Sequence, residues 1–295
     1  MHAGTSHGGT LYVVPTPIGN YGDITVRAID VLRQAGVVAS EDTRHARTLL
    51  RHLGIEARLV SYHEHNEDAR SQELLAALEQ GTDVALISDA GTPLVNDPGY
   101  RIVTGAISGG FRVCPLPGTS AVLTALIGSG LPVHRFHYVG FLPRRQAARI
   151  DALTALAGLT GALVCFEAPH RLTAMLADMR EALGDRRVSL ACNLTKADER
   201  FSRGPLSEVL AELGASDVVR GEYTVVVEGA PDGPADADQE LGGRLADALV
   251  RRGADARLTR DVVREVTGLP RNWVYERVRV AEESAARDRL AATPG

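Results

Sequence analysis

Five short segments concentrate residue types that bind polar ligands: PTPIGNYGD (15–23), SEDTRHAR (40–47), YHEHNE (62–67), SDAGTPLVNDPG (88–99) and PLPGTSA (115–121). Each holds more Gly, Pro, small hydroxyls or charge than a turn and a helix cap require. In the first, Gly19 opens the backbone to close approach by a ligand, while Asp23 could cap the next helix. In the second, Glu41, Asp42 and Arg44 stand together, and Asp42 or Thr43 could be an N-cap. His63 and His65 project to one side of an extended chain. They lack a third ligand at a useful spacing, so no metal is expected there and polar substrate contacts are. In the fourth, Gly91, Pro93, Pro98 and Gly99 impose an irregular path that frees backbone groups for a polar ligand, with Asp89 and Asp97 at its flanks.

Three later segments continue the theme. CFEAPHRL (165–172) sets Glu167, His170 and Arg171 past an apolar run, NLTKADERFSRG (193–204) sets Lys196 past another, and GEYTVVVEG (221–229) opens a third. Lys196 is the one lysine among 32 basic residues, and unlike Arg it can give up its proton. Glu167 and Lys196 are therefore candidates for proton handling; their structural alternative is an ion pair at a domain seam. There is no G-x-G-x-x-G after the first strand, no G-x-x-x-x-G-K-[ST] and no G-x-S-x-G, which makes the dinucleotide, P-loop and hydrolase-elbow readings poor ones.

The elements that would position these residues alternate. Strands are expected at Leu11–Pro15, Val37–Ser40, Arg58–Tyr62, Val84–Ser88 and Arg112–Leu116, with helices at Thr25–Gln34, Ala46–Leu53, Glu67–Gln80, Gly99–Ser108 and Ser120–Gly128. That rhythm predicts an α/β domain over 10–130 with a mostly parallel sheet, whose ligands bind outside the carboxyl ends of the strands. A Pro-containing linker is expected at 131–143. A second α/β domain follows over 144–230, with strands Ala162–Phe166, Val188–Leu194 and Tyr223–Glu228 and helices Arg144–Ala157 and Arg171–Leu183. Residues 1–9 read as a flexible leader without signal-peptide character, and Pro231–Ala237 as a second linker. The helical tail, 238–286, reads as helix-turn-helix-like, with Thr259 as N-cap, Gly268 as stop, and Trp273 and Tyr275 in its core.

The 295 residues are 44% hydrophobic but only 4% aromatic, so the cores must be Ala, Val and Leu. No apolar run approaches the ~20 residues of a membrane helix. Cys114, Cys165 and Cys192 lie far apart in apolar runs and are expected as buried free thiols of a cytoplasmic protein. The net charge of −5 argues mildly against a nucleic-acid partner.

The ordered segments PTPIGN-GD, EDTR, YHEHN, SDAGTP-DPG, PGTSA, FEAPHRL, LTK and GEY-VVVEG resemble the tetrapyrrole-methylase superfamily of S-adenosylmethionine (SAM) dependent enzymes, and within it the branch that methylates 16S ribosomal RNA. The resemblance implies two α/β domains with SAM in the interdomain cleft. SAM would lie against Ile18, Gly19, Asp89, Gly91, Thr92, Val95, Thr119, Ser120, Phe166, Asn193 and Tyr223. It implies a homodimer acting on the ribose 2′-hydroxyl of a decoding-centre cytidine, within the 30S subunit. The rRNA would meet Arg44, Arg47, His63, Glu64, Arg144, Arg145 and Arg171, with Arg51, Arg149 and the tail arginines 260, 264, 271, 277 and 279 as further phosphate contacts. Such contacts would make binding salt-dependent. Cys192 and Asn193 stand where relatives often carry an Arg-Glu pair, so no role is carried over from that pair. Two rivals remain: a tetrapyrrole methyltransferase with an open apolar cleft, and a catalytically silent ribosome-assembly factor without SAM affinity.

Overall fold

The computed structural model describes residues 8–215, 219–231 and 236–291. Most of the expected leader, and residues 232–235 of the expected second linker, lie outside the described residues. Residues up to 229 form one compact unit and those from 230 onward a second.

The first unit opens with β1 (Thr10–Val13), α1 (Val26–Gln34), β2 (Val37–Ser40), α2 (Thr43–His52), β3 (Leu59–Ser61), α3 (Glu67–Glu79), β4 (Val84–Ile87), α4 (Tyr100–Ser108), β5 (Arg112–Pro115) and α5 (Ala121–Gly128). The strands form a parallel sheet in the order β3-β2-β4-β1-β5. β2 and β4 are buried at every residue, as expected of parallel strands covered on both faces. Ala28 and Leu32 of α1 and Ala46 and Leu50 of α2 pack over Val38, Ala85 and Ile87 on one face. Leu74 and Leu78 of α3 and Ile102 and Ala106 of α4 pack over Leu11, Ala39 and Leu86 on the other. The helices match the apolar spacing to within a few residues. Caps set the boundaries: Thr25 accepts from Ala28 N–H, Asp42 from Arg44 N–H and Ser120 from Leu123 N–H. Thr25, not Asp23, thus caps α1, and α2 begins three residues before the expected Ala46 because Asp42 satisfies its first turn.

A second sheet follows, from β6 (Phe136–Phe141), β7 (Ala162–Glu167), β8 (Arg187–Cys192), β9 (Arg200–Pro205) and β10 (Tyr223–Val227), in the order β6-β7-β10-β8-β9. Only β6 and β7 are parallel. Three helices, α6 (Gln146–Leu156), α7 (Pro169–Leu183) and α8 (Leu206–Gly214), cover one face. The other face receives α5: Val122, Ala125 and Leu126 pack with Val164, Ala191 and Val226. The helix that leaves the first sheet therefore builds the core of the second.

The residues read as a linker, 131–143, contain β6, and β9 and α8 were not anticipated. Both strands are sheet edges. β6 leaves Phe136 and Phe141 exposed and breaks register at a bulge by Gly140, so it lacks the continuous apolar run that marks a covered strand. The sequence of β9, RFSRGP, is polar because only one neighbour pairs with it.

The second unit holds α9 (Asp236–Arg251), α10 (Ala256–Thr267) and α11 (Arg271–Ala291) around Ala246, Val263, Leu269, Val274 and Val278. Gly268 ends α10 in the left-handed conformation. Thr259 does not cap α10: Asp255 does, accepting from Arg257 and Leu258 N–H, while Thr259 is buried and donates back to Asp255 O. Trp273 packs on this core, but Tyr275 is exposed, with the Arg260 guanidinium 4.4 Å from its ring centroid. A tyrosine flanked by arginine keeps its ring at the surface by cation–π contact instead of burial.

One buried ion pair secures the start of α6. Arg149 Nε donates to Asp178 Oδ2 at 2.6 Å, with both side chains under a tenth exposed, and Arg149 Nη1 donates to the carbonyls of Pro143 and Arg144. Arg149 is therefore a structural residue and not a phosphate contact. Replacing Asp178 by Ala leaves the guanidinium buried and unpaired. The expected loss is about 3–5 kcal/mol, measured by denaturant unfolding; a loss near zero would show the pair to be dispensable.

Candidate active site

The loops after β1, β4 and β5 are tied into one wall by hydrogen bonds. Thr16 and Gly91 exchange both backbone bonds at 2.9 Å. The Thr16 hydroxyl donates to Ser88 O at 3.0 Å, the Ser88 hydroxyl to Gly91 O at 3.2 Å, the Thr92 hydroxyl to Thr119 O at 2.8 Å, and the Thr119 hydroxyl to Thr16 O. Gly91 adopts φ +85°, a conformation that a Cβ would strain. The small hydroxyls and glycine of TPIG, SDAGT and GTS are thus needed to close this knot, and Thr92 and Thr119 are spent on it.

Opposite this wall lies the loop after β8. Asn193 accepts from Glu222 N–H through Oδ1 at 2.9 Å and donates through Nδ2 to Asp198 at 2.6 Å, and Thr195 N–H donates to Glu199. Four described non-glycine residues have positive φ: Leu94, Asn96, Asn193 and Thr195. All lie in these two facing loops. For the branched Leu94 and Thr195 such a conformation is costly, roughly 1–3 kcal/mol each, and held strain of this kind gathers at functional sites. Gly19 is where the two walls touch. A Cβ on Gly19 would stand 2.6 Å from Lys196 Cγ and 2.9 Å from Leu194 O. The close approach that Gly19 permits is therefore that of the Lys196 stem.

Between the walls is a cavity of about 390 Å³, lined by Ile18, Ala90, Ala121, Phe166, Leu194 and Tyr223 among others. Glu167 and Glu222 also reach it. Of the expected SAM contacts, Ile18, Phe166 and Tyr223 line this cavity. Gly19 and Asn193 adjoin its lining residues Ile18 and Leu194, Gly91, Thr92 and Thr119 form the knot behind it, and Ser120 caps α5. Asp89 and Val95 are exposed; Asp89 accepts from Asp42 N–H at 3.0 Å and faces His45 Nδ1 at 3.4 Å.

Glu167 and Lys196 do not pair with each other. Glu167 is buried; Oε1 accepts from Ala168 N–H, and Arg171 Nη2 lies 3.2 Å from Oε2. Lys196 Nζ sits 2.7 Å from Oε1 of Glu222, whose side chain is 75% exposed. Glu222 was not among the expected site residues, although it stands in the GEY segment. Arg171 also donates to Leu142 O and Pro143 O, and with Arg144 it lines a second cavity beside the first. Arg145 is the exposed N-cap of α6.

The β2–β3 edge is acidic. The hydrogen-bonded Arg44 holds the Asp42 carboxyl well below the usual range, so Arg44 is already engaged; Arg47 is exposed on the same helix. Burial, then the charges of Asp89 and Glu64, push Glu41 up. His63 is half-buried beside Asn66, and Glu64 is exposed. Burial, then the charge of Glu41, pushes Asp97 up to about 6. Among the described residues no His, Cys, Asp and Glu cluster forms a metal site.

Two α/β sheets in one compact unit, joined by α5 and enclosing an apolar cavity at their loop edges, define the class of this protein: a two-sheet α/β fold with a cavity sized for a small molecule. Residues 10–210 match the Tetrapyrrole (Corrin/Porphyrin) Methylases family. A uroporphyrin-III C-methyltransferase from Thermus thermophilus, complexed with S-adenyl homocysteine, superposes with TM-score 0.53 at 22% identity over 74% of this chain and 97% of that one. Two relatives named ribosomal RNA small subunit methyltransferase I share far more sequence. One, from Micromonospora olivasterospora, is 65% identical over 93% of this chain and 88% of its own length; another, from Escherichia coli O157:H7, is 44% identical over 91% and 94%. The chain belongs to the tetrapyrrole methylase family and, within it, to the ribosomal RNA small subunit methyltransferase I group.

The raised pKa of Asp97 has a consequence for stability. Its protonated form is favoured by folding, so its contribution is complete below about pH 4, the unfolded value, and is lost as pH rises through about 6. The Asp97→Asn protein should melt progressively above wild type from pH 4.5 to 7.5. A constant difference in Tm across that range would contradict the assignment.

Proposed function

We propose that this chain transfers a methyl group from SAM to a ribose 2′-hydroxyl of 16S rRNA in the small ribosomal subunit, at a decoding-centre cytidine. The observation that carries the substrate choice is the 65% identity, spanning 93% of the chain, to a protein named for that rRNA. The fold alone serves tetrapyrrole methylases equally well. In this reading the segments 10–130 and 144–230, the second completed by β6 from the residues between them, wall the cleft, and the tail 238–286 offers exposed arginines for phosphate. Exposed Leu123 and Ile127, one turn apart on α5, supply an apolar patch for the proposed homodimer. Among the described residues no helix is long and apolar enough to cross a membrane, and a cytoplasmic location follows from the ribosomal substrate.

The residues present fit SAM. A cavity of about 390 Å³ with mainly apolar walls is within the usual range for a small-molecule site. Ile18, Phe166 and Tyr223 would hold SAM, with Gly19 and Asn193 adjoining and Asp89, Val95 and Ser120 nearer the rim; Gly91, Thr92 and Thr119 keep the wall rigid. When bound, SAM supplies a methyl on a sulfonium; the O–C bond forms as the C–S bond breaks, leaving a ribose methyl ether, S-adenosylhomocysteine and a proton. The protein must align the hydroxyl and handle that proton. Alignment alone is worth up to ~7–11 kcal/mol. Lys196, held by Glu222, is the positive neighbour that steadies charge building on the oxygen, and exposed Glu222 accepts the proton. Glu167, locked beneath the wall by Ala168 and Arg171, positions Arg171. Arg47, Arg144 and Arg145 face solvent and would meet rRNA phosphates, with Arg44, His63 and Glu64 alongside.

Wild-type protein should move tritium from labelled SAM into 16S rRNA, free or within 30S subunits; no label in either would refute this function. Lys196→Ala should lose at least ~100-fold in kcat while binding SAM with unchanged Kd by calorimetry. Normal turnover in that variant would remove Lys196 from the mechanism.

A further inference from the structure

A second cavity, of about 810 Å³, adjoins the apolar one and shares Phe141, Glu167 and Ala168 with it. Its character differs. Arg144 and His170 stand exposed on its wall, and neither side chain has a hydrogen bond or ion pair within the described residues. Arg171 adds a guanidinium pinned to the carbonyls of Leu142 and Pro143, with a buried Nε that has no partner. Phe141 is 54% exposed, and its ring is braced by Phe166 at 5.7 Å between centroids. The platform is rigid because Arg149, paired with Asp178 underneath, holds the carbonyls of Pro143 and Arg144. One open aromatic face, an unpaired guanidinium and an imidazole without a partner therefore border the cavity proposed for the methyl donor.

We infer that this second cavity takes a single unstacked nucleotide of the RNA, its base against Phe141 and its phosphate against Arg144 and His170. The inference rests on the proposed rRNA methylation and adds how the acceptor is presented. A ribose within a duplex cannot reach a methyl group enclosed in a cavity, so the nucleotide must leave its stack, and enzymes that extrude a nucleotide hold it by stacking and polar contacts. Unstacked RNA bases are held on aromatic rings and guanidinium planes. With the base on Phe141, the sugar falls at the Phe141–Ala168 edge common to both cavities.

Ala174 is exposed and lines the second cavity but not the first, so Ala174→Trp fills one without the other. With full-length protein, labelled SAM and 30S subunits or 16S rRNA, Ala174→Trp should lower kcat/KM for RNA at least ~10-fold, with SAM Kd within about twofold of wild type. Phe141→Ala should lower kcat/KM by about 5–100-fold, as loss of one base stack would, and Phe141→Trp should restore most of it. Arg144→Glu, a surface change with no native partner to break, should raise KM for RNA and leave kcat nearly unchanged. Wild-type transfer by Ala174→Trp, or a Phe141→Ala loss matched by an equal loss of SAM affinity, would overturn the pocket while leaving the rRNA function standing. Absence of any label from the wild-type protein would overturn both.

Discussion

The backbone exchange between Thr16 and Gly91 is the constraint on which the rest of the site depends. β1 and β4 are adjacent strands whose following helices pack on opposite faces of the sheet. Their loops would otherwise splay apart, since each chain leaves in its own direction. The two bonds between Thr16 and Gly91, with the hydroxyls of Ser88, Thr92 and Thr119 closing onto neighbouring carbonyls, convert three separate loops into one surface. A surface that satisfies its own polar groups can border an apolar cavity without leaving buried carbonyls unpaired. It also needs little reorganisation when a ligand arrives. That is the property a site requires if most of its work is alignment.

Rigidity on one side is useful only if the other side is registered against it. Gly19 provides that registration, because the space a Cβ would fill is occupied by the stem of Lys196. A second tie runs from Asn96, on the loop after β4, to the Tyr138 hydroxyl on β6. Both ties join a loop of the first sheet to an element of the second, and both involve loops whose residues hold positive φ. The strain in Leu94 and Thr195 is sustained by these contacts and by α5, which is buried against the second sheet. Position and charge are thereby coupled: moving Lys196 would require moving the first-sheet loop it packs on.

Much of this was legible in the sequence, for reasons that differ by element. The strands covered on both faces, such as VVAS and VALI, read as apolar runs and were placed to within a residue. The edge strands β6 and β9 were invisible because an edge needs no continuous apolar run. The loops were recognised as unusual from composition, but composition could not say which hydroxyls would be consumed internally. Thr92 and Thr119 proved to be mortar, whereas Ile18, Phe166 and Tyr223 face the cavity. In sequence Arg149 is indistinguishable from its neighbours Arg144 and Arg145, because its carboxylate partner lies 29 residues away, a long-range pairing that local pattern does not encode. Glu222 was missed for a similar reason: its importance comes from Lys196, 26 residues earlier.

The distribution of charge also resolves the tension between a net charge of −5 and an RNA substrate. The acidic residues gather where the first sheet ends: the charge of Asp89 adds to burial in raising Glu41, and the charges of Glu41 and Asp89 add to burial in raising Asp97. The unpaired guanidinium of Arg144 and the imidazole of His170 stand on the β6–α6 connection and on α7 of the second sheet. A polyanion approaching this protein would meet clustered carboxylates beside exposed Arg47 on one rim of the cleft and the unpaired Arg144 guanidinium on the other. Electrostatics of this kind contribute more to orientation and encounter than to affinity, and they act over about a Debye length of ~8–10 Å in physiological salt. The cleft is therefore polarised across its width, and net charge is the wrong quantity by which to judge its partner. The Gly19–Lys196 contact holds the two rims in register, so any strand that enters meets this local arrangement of charge and not the average over the whole chain.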